Sequence, residues 1–122
     1  MGTTILVLII IVFFLHFIAD FGLQTRKMAE NKSHSIKYLT LHVITYCIPF
    51  LLLSVGFGWT MEFLWFMVWL FGTHWITDFI TSKFTAYFWK HKKIKDFFLM
   101  IGFDQFIHAV TLLLLIEKFI VH

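Results

Sequence analysis

Four apolar runs, each long enough to cross a lipid bilayer as a helix, take up most of a chain of only 122 residues. A spanning helix needs about 20 predominantly apolar residues, and the runs lie near residues 4–23, 38–55, 61–81 and 97–119. Inside lipid every backbone N–H and C=O must be bonded within its own segment, so runs of this length become helices. The expectation is an all-α protein, a four-transmembrane-helix bundle forming a single integral membrane domain over residues 1–122. Composition agrees, because 60% of the chain is AVILMFWYC, 14% is charged and seventeen residues are Phe. That is too apolar for a water-soluble domain of this size.

Details of the runs carry further expectations. The third stays apolar through "FTAYFW" to Trp89, so its helix either continues past the membrane or breaks near Thr81 and Ser82. Pro49 sits inside the second run and should free the Thr45 carbonyl, which predicts a local kink. The one cysteine, Cys47, excludes an intramolecular disulfide framework. It lies about 140° round a helix from His42, so it reads as a small buried apolar residue rather than a ligand. The first run lacks a positive n-region and a small-x-small cleavage site and is interrupted by His16 and Asp20. It therefore reads as a retained span rather than a leader.

Loop charge sets the orientation. The connection "QTRKMAENKSHSIK" carries Arg26, Lys27, Lys32 and Lys37, and "KHKKIKD" carries Lys90, Lys92, Lys93 and Lys95, whereas the middle connection "GFGWT" carries no charge. With four spans the two basic connections share a side, and the positive-inside rule makes that side cytoplasmic and both termini external. The lipid bilayer is the obvious partner and the cytoplasmic (inner) membrane the expected location. The rule accounts for the basic residues without sequence-specific nucleic-acid binding.

The polar residues within the runs are few and patterned. They are His16 and Asp20 with Gln24 in the first, His42 in the second, His74 and Asp78 followed by Ser82 in the third, and Asp104, Gln105 and His108 in the fourth. Residues four apart on a helix differ by about 40° and ~6 Å of rise, so His16 with Asp20, His74 with Asp78 and Asp104 with His108 each share a face. Counted from the nearest basic residue at ~1.5 Å per residue, these groups fall in one layer of the inner half of the membrane. An isolated carboxylate there costs at least ~2.5 kcal/mol, so such residues are paired, face the bundle interior and mark function. A set of His–Asp hydrogen bonds that only joins helices would satisfy any single pair. Seven such groups at matching depth point instead to metal ligands: His16, Asp20, His42, His74, Asp78, Asp104 and His108. Imidazole and carboxylate without thiolate suit a divalent metal, Zn foremost with Mn or Fe behind it. Seven ligands exceed the needs of one zinc ion and match two ions sharing a carboxylate. Haem is the weaker alternative, since an axial histidine needs no aspartate one turn away.

The halves of the chain echo each other. "HFIADF" at 16–21 and "HWITDF" at 74–79 each lead into a basic connection and then a span with another histidine, His42 or His108. This reads as two tandem two-helix repeats with an axis along the membrane normal. The match fails at Tyr38, which stands where the other half has Asp104.

"HFIADFGLQTRKMAENKS", the "LHV" around His42, "HWITDF" and "DQFIH" resemble, over nearly the whole chain, a family of small bacterial and phage polytopic membrane proteins known only as a domain of unknown function. Gln24, Thr25 and Lys32 match that family's "QT" and lysine pattern, which implies that the inner end of the first span belongs to the site. A looser similarity to membrane-bound metal-dependent hydrolases implies phosphoester or related hydrolysis. On this reading Gln24, Lys83 and Gln105 are candidate catalytic or substrate-orienting residues, as is Ser82, and Lys32 and Arg26 attract an anionic or phosphorylated substrate at the mouth.

A metal-ion or proton transporter using the same His/Asp cluster is the alternative, with a structural accessory subunit behind it. Against transport, "ILVLIIIVFF", "IPFLLLSV", "LWFMVWLF" and "TLLLLI" offer no polar route outward, although a homo-oligomer would leave a path between subunits open. No nucleotide-binding glycine loop, nucleophile elbow, CxxC pair or HExxH motif is present.

Overall fold

The computed structural model describes residues 2–121. It has four helices long and apolar enough to cross a membrane: α1 (Thr3–Gly22), α3 (Ile36–Phe57), α4 (Met61–Lys90) and α5 (Ile94–Val121). A short helix, α2 (Arg26–Asn31), fills the connection from α1 to α3. No strand occurs among the described residues. A helix long and apolar enough to cross lies at each of the four expected positions; α1 is shifted by one residue from the limits read from the sequence, α3 and α5 extend two or three residues past them at each end, and α4 runs on to Lys90.

Short polar caps set the helix starts. The hydroxyls of Thr25, Ser35 and Thr60 accept from the backbone N–H groups of Met28, Tyr38 and Phe63, each satisfying one of the orphan donors of a first turn. Gly58 ends α3 with φ at +70°, a left-handed conformation that residues with a Cβ avoid.

Three helices change their winding, α5 only in its π-helical end, Glu117–Val121. Around Pro49 the chain of α3 tightens into a 3-10 segment, Ile48–Leu53. The Ile48 N–H then donates to the Thr45 carbonyl, so the acceptor that proline would strand is satisfied by a shorter bond. In α1 the last turn, Ile18–Gly22, is π-helical and carries Asp20. By contrast α4 runs unbroken for 30 residues through Thr81 and Ser82 to Lys90, which resolves the open question at that point in favour of continuation. At about 1.5 Å per residue it is ~45 Å long, well beyond a ~30 Å hydrocarbon layer.

The helices pack in a ring, α1 against α3 and α5, and α4 against α3 and α5, with the α4–α5 contact the most extensive. Their outward faces carry exposed Leu6, Ile10, Phe14, Leu52, Trp69 and Leu114 among many others, an apolar surface suited to lipid rather than water. Inside, the bundle has two zones. One is an apolar core around Val12, Phe50, Phe63, Phe66, Leu70 and Leu112. The other is polar, with Asp20, His42, His74, Asp78, Asp104 and His108 buried together. Cys47 is half-buried against the apolar zone and free, as a small apolar residue would be.

Candidate metal centre

Three helices deliver four donor atoms to one point. His42 Nε2 lies 3.1 Å from Asp20 Oδ1 and 3.1 Å from Asp78 Oδ2. His74 Nε2 lies 3.5 Å from Asp20 Oδ1 and 3.2 Å from Asp78 Oδ2, and the two Nε2 atoms are 3.3 Å apart. A tetrahedron with metal–ligand bonds of about 2.0–2.1 Å has edges of about 3.3–3.4 Å. The five separations therefore match four donors disposed around one small cation.

A second group adjoins the first. His108 Nε2 is 3.0 Å from Asp78 Oδ1 and 3.3 Å from Asp104 Oδ1. Asp20, Asp104 and His108 each offer a donor within 4.8 Å of the others. The Asp78 carboxylate turns one oxygen toward each group, and Asp20 is common to both. Six of the seven ligand candidates read from the sequence thus converge.

Local structure explains how they are aimed. The i,i+4 spacings put His74 with Asp78 and Asp104 with His108 on single faces of α4 and α5, as a regular helix requires. Asp20 sits in the π turn, where the extra residue per turn widens the helix and changes the direction its side chain takes. His42 has no acidic partner on its own helix, and Asp20 and Asp78 supply two from other helices. Tyr38, in the position matching Asp104, lies instead within 6 Å of Lys27 and Lys37 as a cation–π acceptor. His74 is held by stacking, its ring centroid 3.7 Å from that of Tyr46 and 4.0 Å from that of His108 at interplanar angles of 22° and 16°. Two rings this close to a third must lie on opposite faces of it, so His74 is sandwiched. Its Nδ1 and that of His42 are buried without a hydrogen-bond partner; with a proton on each Nδ1, both Nε2 lone pairs face the centre of the group.

His16 stands at the edge. Its Nδ1 pairs with the Tyr46 hydroxyl at 2.7 Å and its Nε2 with Gln105 Oε1 at 2.8 Å, leaving Asp20 Oδ2 at 3.8 Å. It shares its motif with His74 but not its position. Gln105 is central to that arrangement, since its amide nitrogen also donates to Asp20 Oδ2 at 2.9 Å and to Asp104 Oδ2 at 3.2 Å. Thr81 adds a donor to Asp104 Oδ1 at 2.5 Å. Neither Tyr46 nor Thr81 stands out in the sequence, yet each lies on a face already marked, Tyr46 four residues after His42 and Thr81 three after Asp78.

The lysines sort differently from their appearance in sequence. Lys32, at the end of α2, reaches into the cluster with its ammonium 3.2 Å from Asp78 Oδ2. Burial alone would depress its pKa, but the nearby carboxylates of Asp78, Asp20 and Asp104 outweigh that and hold it above the ordinary lysine range. Lys83 is exposed and points away, donating to the Ser33 carbonyl at 2.9 Å and lying over the Phe79 ring. Arg26 is paired at the surface with Glu30 at 2.7 Å, which raises its pKa through that hydrogen bond.

Beside the carboxylates is a cavity of about 200 Å³, lined by Gln24, Lys32, Ser82, Asp104 and Gln105 among others. Gln24 Oε1 and Ser82 Oγ are buried there without a partner. Three carboxylates around one ammonium leave the site short of positive charge, which protonated imidazoles or bound cations must supply.

No curated protein and no solved structure gives a significant match to the chain. A family match spans residues 6–122 and takes in every residue of the cluster. The chain belongs to the family described as "Protein of unknown function (DUF3307)".

Proposed function

We propose that the protein is a membrane-embedded, metal-dependent hydrolase acting on a phosphoester or lipid-linked substrate at the cytoplasmic face. The observation that carries this reading is the tetrahedral spacing of His42 Nε2, His74 Nε2, Asp20 Oδ1 and Asp78 Oδ2. An N₂O₂ set of that size suits Zn, with Mn or Fe the alternatives, and His108 and Asp104 with the shared carboxylates suit a second ion. A metal pair held by these residues would supply Lewis acidity and a lowered pKa for a nucleophilic water.

The chain's own residues do the rest. Asp78 and Asp20 hold the two ligand groups in register, and Gln105 fixes both Asp20 and Asp104 by hydrogen bonds. Gln24 and Ser82 offer unpartnered polar atoms to a substrate in the cavity. Of Lys32 and Arg26, the two residues read from the sequence as attracting an anion, Lys32 supplies positive charge at the site, while Arg26 is paired with Glu30 at the surface.

Sidedness favours an enzyme over a transporter. The cavity lies against α2 and the α5 start, beside the basic connections that the positive-inside rule assigns to the cytoplasm, with both termini outside and the protein in the inner membrane. Beyond the cluster, Val12, Phe50, Phe66, Leu70 and Leu112 close the bundle with buried apolar side chains. The test is to assay metal-loaded protein against phosphoester and lipid-phosphate substrates while measuring Zn and proton flux in proteoliposomes. Turnover lost in Asp20→Ala and His74→Ala supports hydrolysis. Flux lost in the same variants without turnover supports transport, and neither activity in a metal-replete, folded protein leaves an accessory, structural role.

A further inference from the structure

We propose that the gap between α2, the end of α4 and the start of α5 admits an anionic amphiphile, whose charged head is taken by Lys32 and whose apolar chain lies against Trp89 and Phe97. The proposal rests on the hydrolase reading and names the substrate class for that site.

Two cavities meet at this gap. The inner one, beside the carboxylates, and an outer one of about 410 Å³ share Ala29, Lys32, Ser82, Thr85 and Phe97 as walls. The outer cavity adds Ala86 and Trp89 on the α4 side, and Ser33 and Glu30, whose carboxylate is paired with Arg26, on the α2 side. Trp89 and Phe97 stand with ring centroids 5.1 Å apart, and Trp89 is otherwise exposed. The path thus runs from an aromatic, largely apolar vestibule to a polar end.

Lys32 marks the junction. An ammonium has three N–H donors, and the one side-chain bond it makes is to Asp78, so two remain for a ligand. Ser82 Oγ and Gln24 Oε1, buried and unpartnered on the inner side, supply a hydroxyl donor and an amide acceptor for a head group that carries both anionic oxygens and a hydroxyl. A phosphate monoester on an alkyl chain has these features. A neutral sugar leaves the ammonium's charge unmatched, a cation is repelled by it, and a free phosphate leaves the vestibule without a role. With the carboxylates uncompensated an anion is repelled, so the head should bind only once cations occupy the cluster.

The test is calorimetric titration of detergent-purified full-length protein, its metal content measured on the same sample, with dodecyl phosphate, inorganic phosphate and a neutral dodecyl glycoside. Dodecyl phosphate should bind the metal-loaded protein most tightly. Lys32→Met should weaken it at least about tenfold, the cost of a charge-assisted hydrogen bond, and Lys32→Arg should recover part of the loss. Trp89→Ala and Phe97→Ala should weaken dodecyl phosphate several-fold while leaving inorganic phosphate unchanged. Equal binding of dodecyl phosphate and the glycoside, equal binding of dodecyl and inorganic phosphate, or indifference to Lys32→Met in a metal-replete protein would overturn this proposal and leave the metal reading standing. A chain without metal removes both.

Discussion

The two zones of the bundle interior are built from the same four helices on opposite principles. Around Phe50, Phe63, Phe66 and Leu70, packing is apolar against apolar. Lipid is as apolar as these side chains, so the contact stabilises mainly through shape and dispersion. Around Asp78 every contact is polar and shared, one carboxylate meeting His42, His74, His108 and Lys32. A void in the first zone costs the lost packing; an unpaired charge in the second costs its desolvation. The apolar zone tolerates exchange of side chains of similar volume, whereas the polar zone depends on atom-by-atom partnership. Tyr46 stands on the border, its ring in the apolar core and its hydroxyl on His16.

The largest effect expected is from Asp78→Ala. It strips a partner from three imidazoles and leaves the Lys32 ammonium buried without its ion pair, a loss of about 3–5 kcal/mol. Unfolding in mixed detergent should show it as less stable than Phe66→Ala, Tyr46→Phe or Lys83→Ala, with no turnover. Phe66→Ala, in the other zone, should cost about 2 kcal/mol in the same assay, the cavity share of a large-to-small change, because lipid solvates in the unfolded chain the ring that folding buries. Its folded fraction should keep full metal content. A Phe66→Ala loss equal to that of Asp78→Ala, or one accompanied by loss of metal, would erase the contrast between the zones.

Smaller changes sharpen the border. Tyr46→Phe keeps the stack on His74 and removes the hydroxyl from His16, at a cost of about 1 kcal/mol. Metal content should hold, and a metal-depleted Tyr46→Phe protein would move His16 into the ligand set. Lys83→Ala should alter neither metal content nor turnover, since that side chain lies outside the cavity against Ser33 and Phe79. A change in either would return Lys83 to the site.

Which parts of this were legible in the sequence follows from what each depends on. Span positions depend on apolar length, and all four were readable. His74 with Asp78 and Asp104 with His108 depend on helical spacing, which is periodic and local. The difference between His16 and His74 was not readable, because identical motifs acquire different neighbours: Tyr46 and Gln105 capture the first, while Tyr46 and His108 stack on the second. Lys32 was marked by the family resemblance and grouped with Arg26 at the mouth, but its reach to Asp78 was not readable. Its selection comes from α2, a six-residue helix too short to announce itself by periodicity. The π turn at Asp20 leaves no signature in the hydrophobic pattern of the first run.

The central claim is that the polar zone holds cations, and metal stoichiometry tests it most directly. Elemental analysis of protein purified in detergent without added metal or chelator should find about two divalent ions per chain. His42→Ala should lose one of them, and His108→Ala the other. Wild-type protein with no bound divalent metal, or metal content unchanged in both variants, would contradict the account.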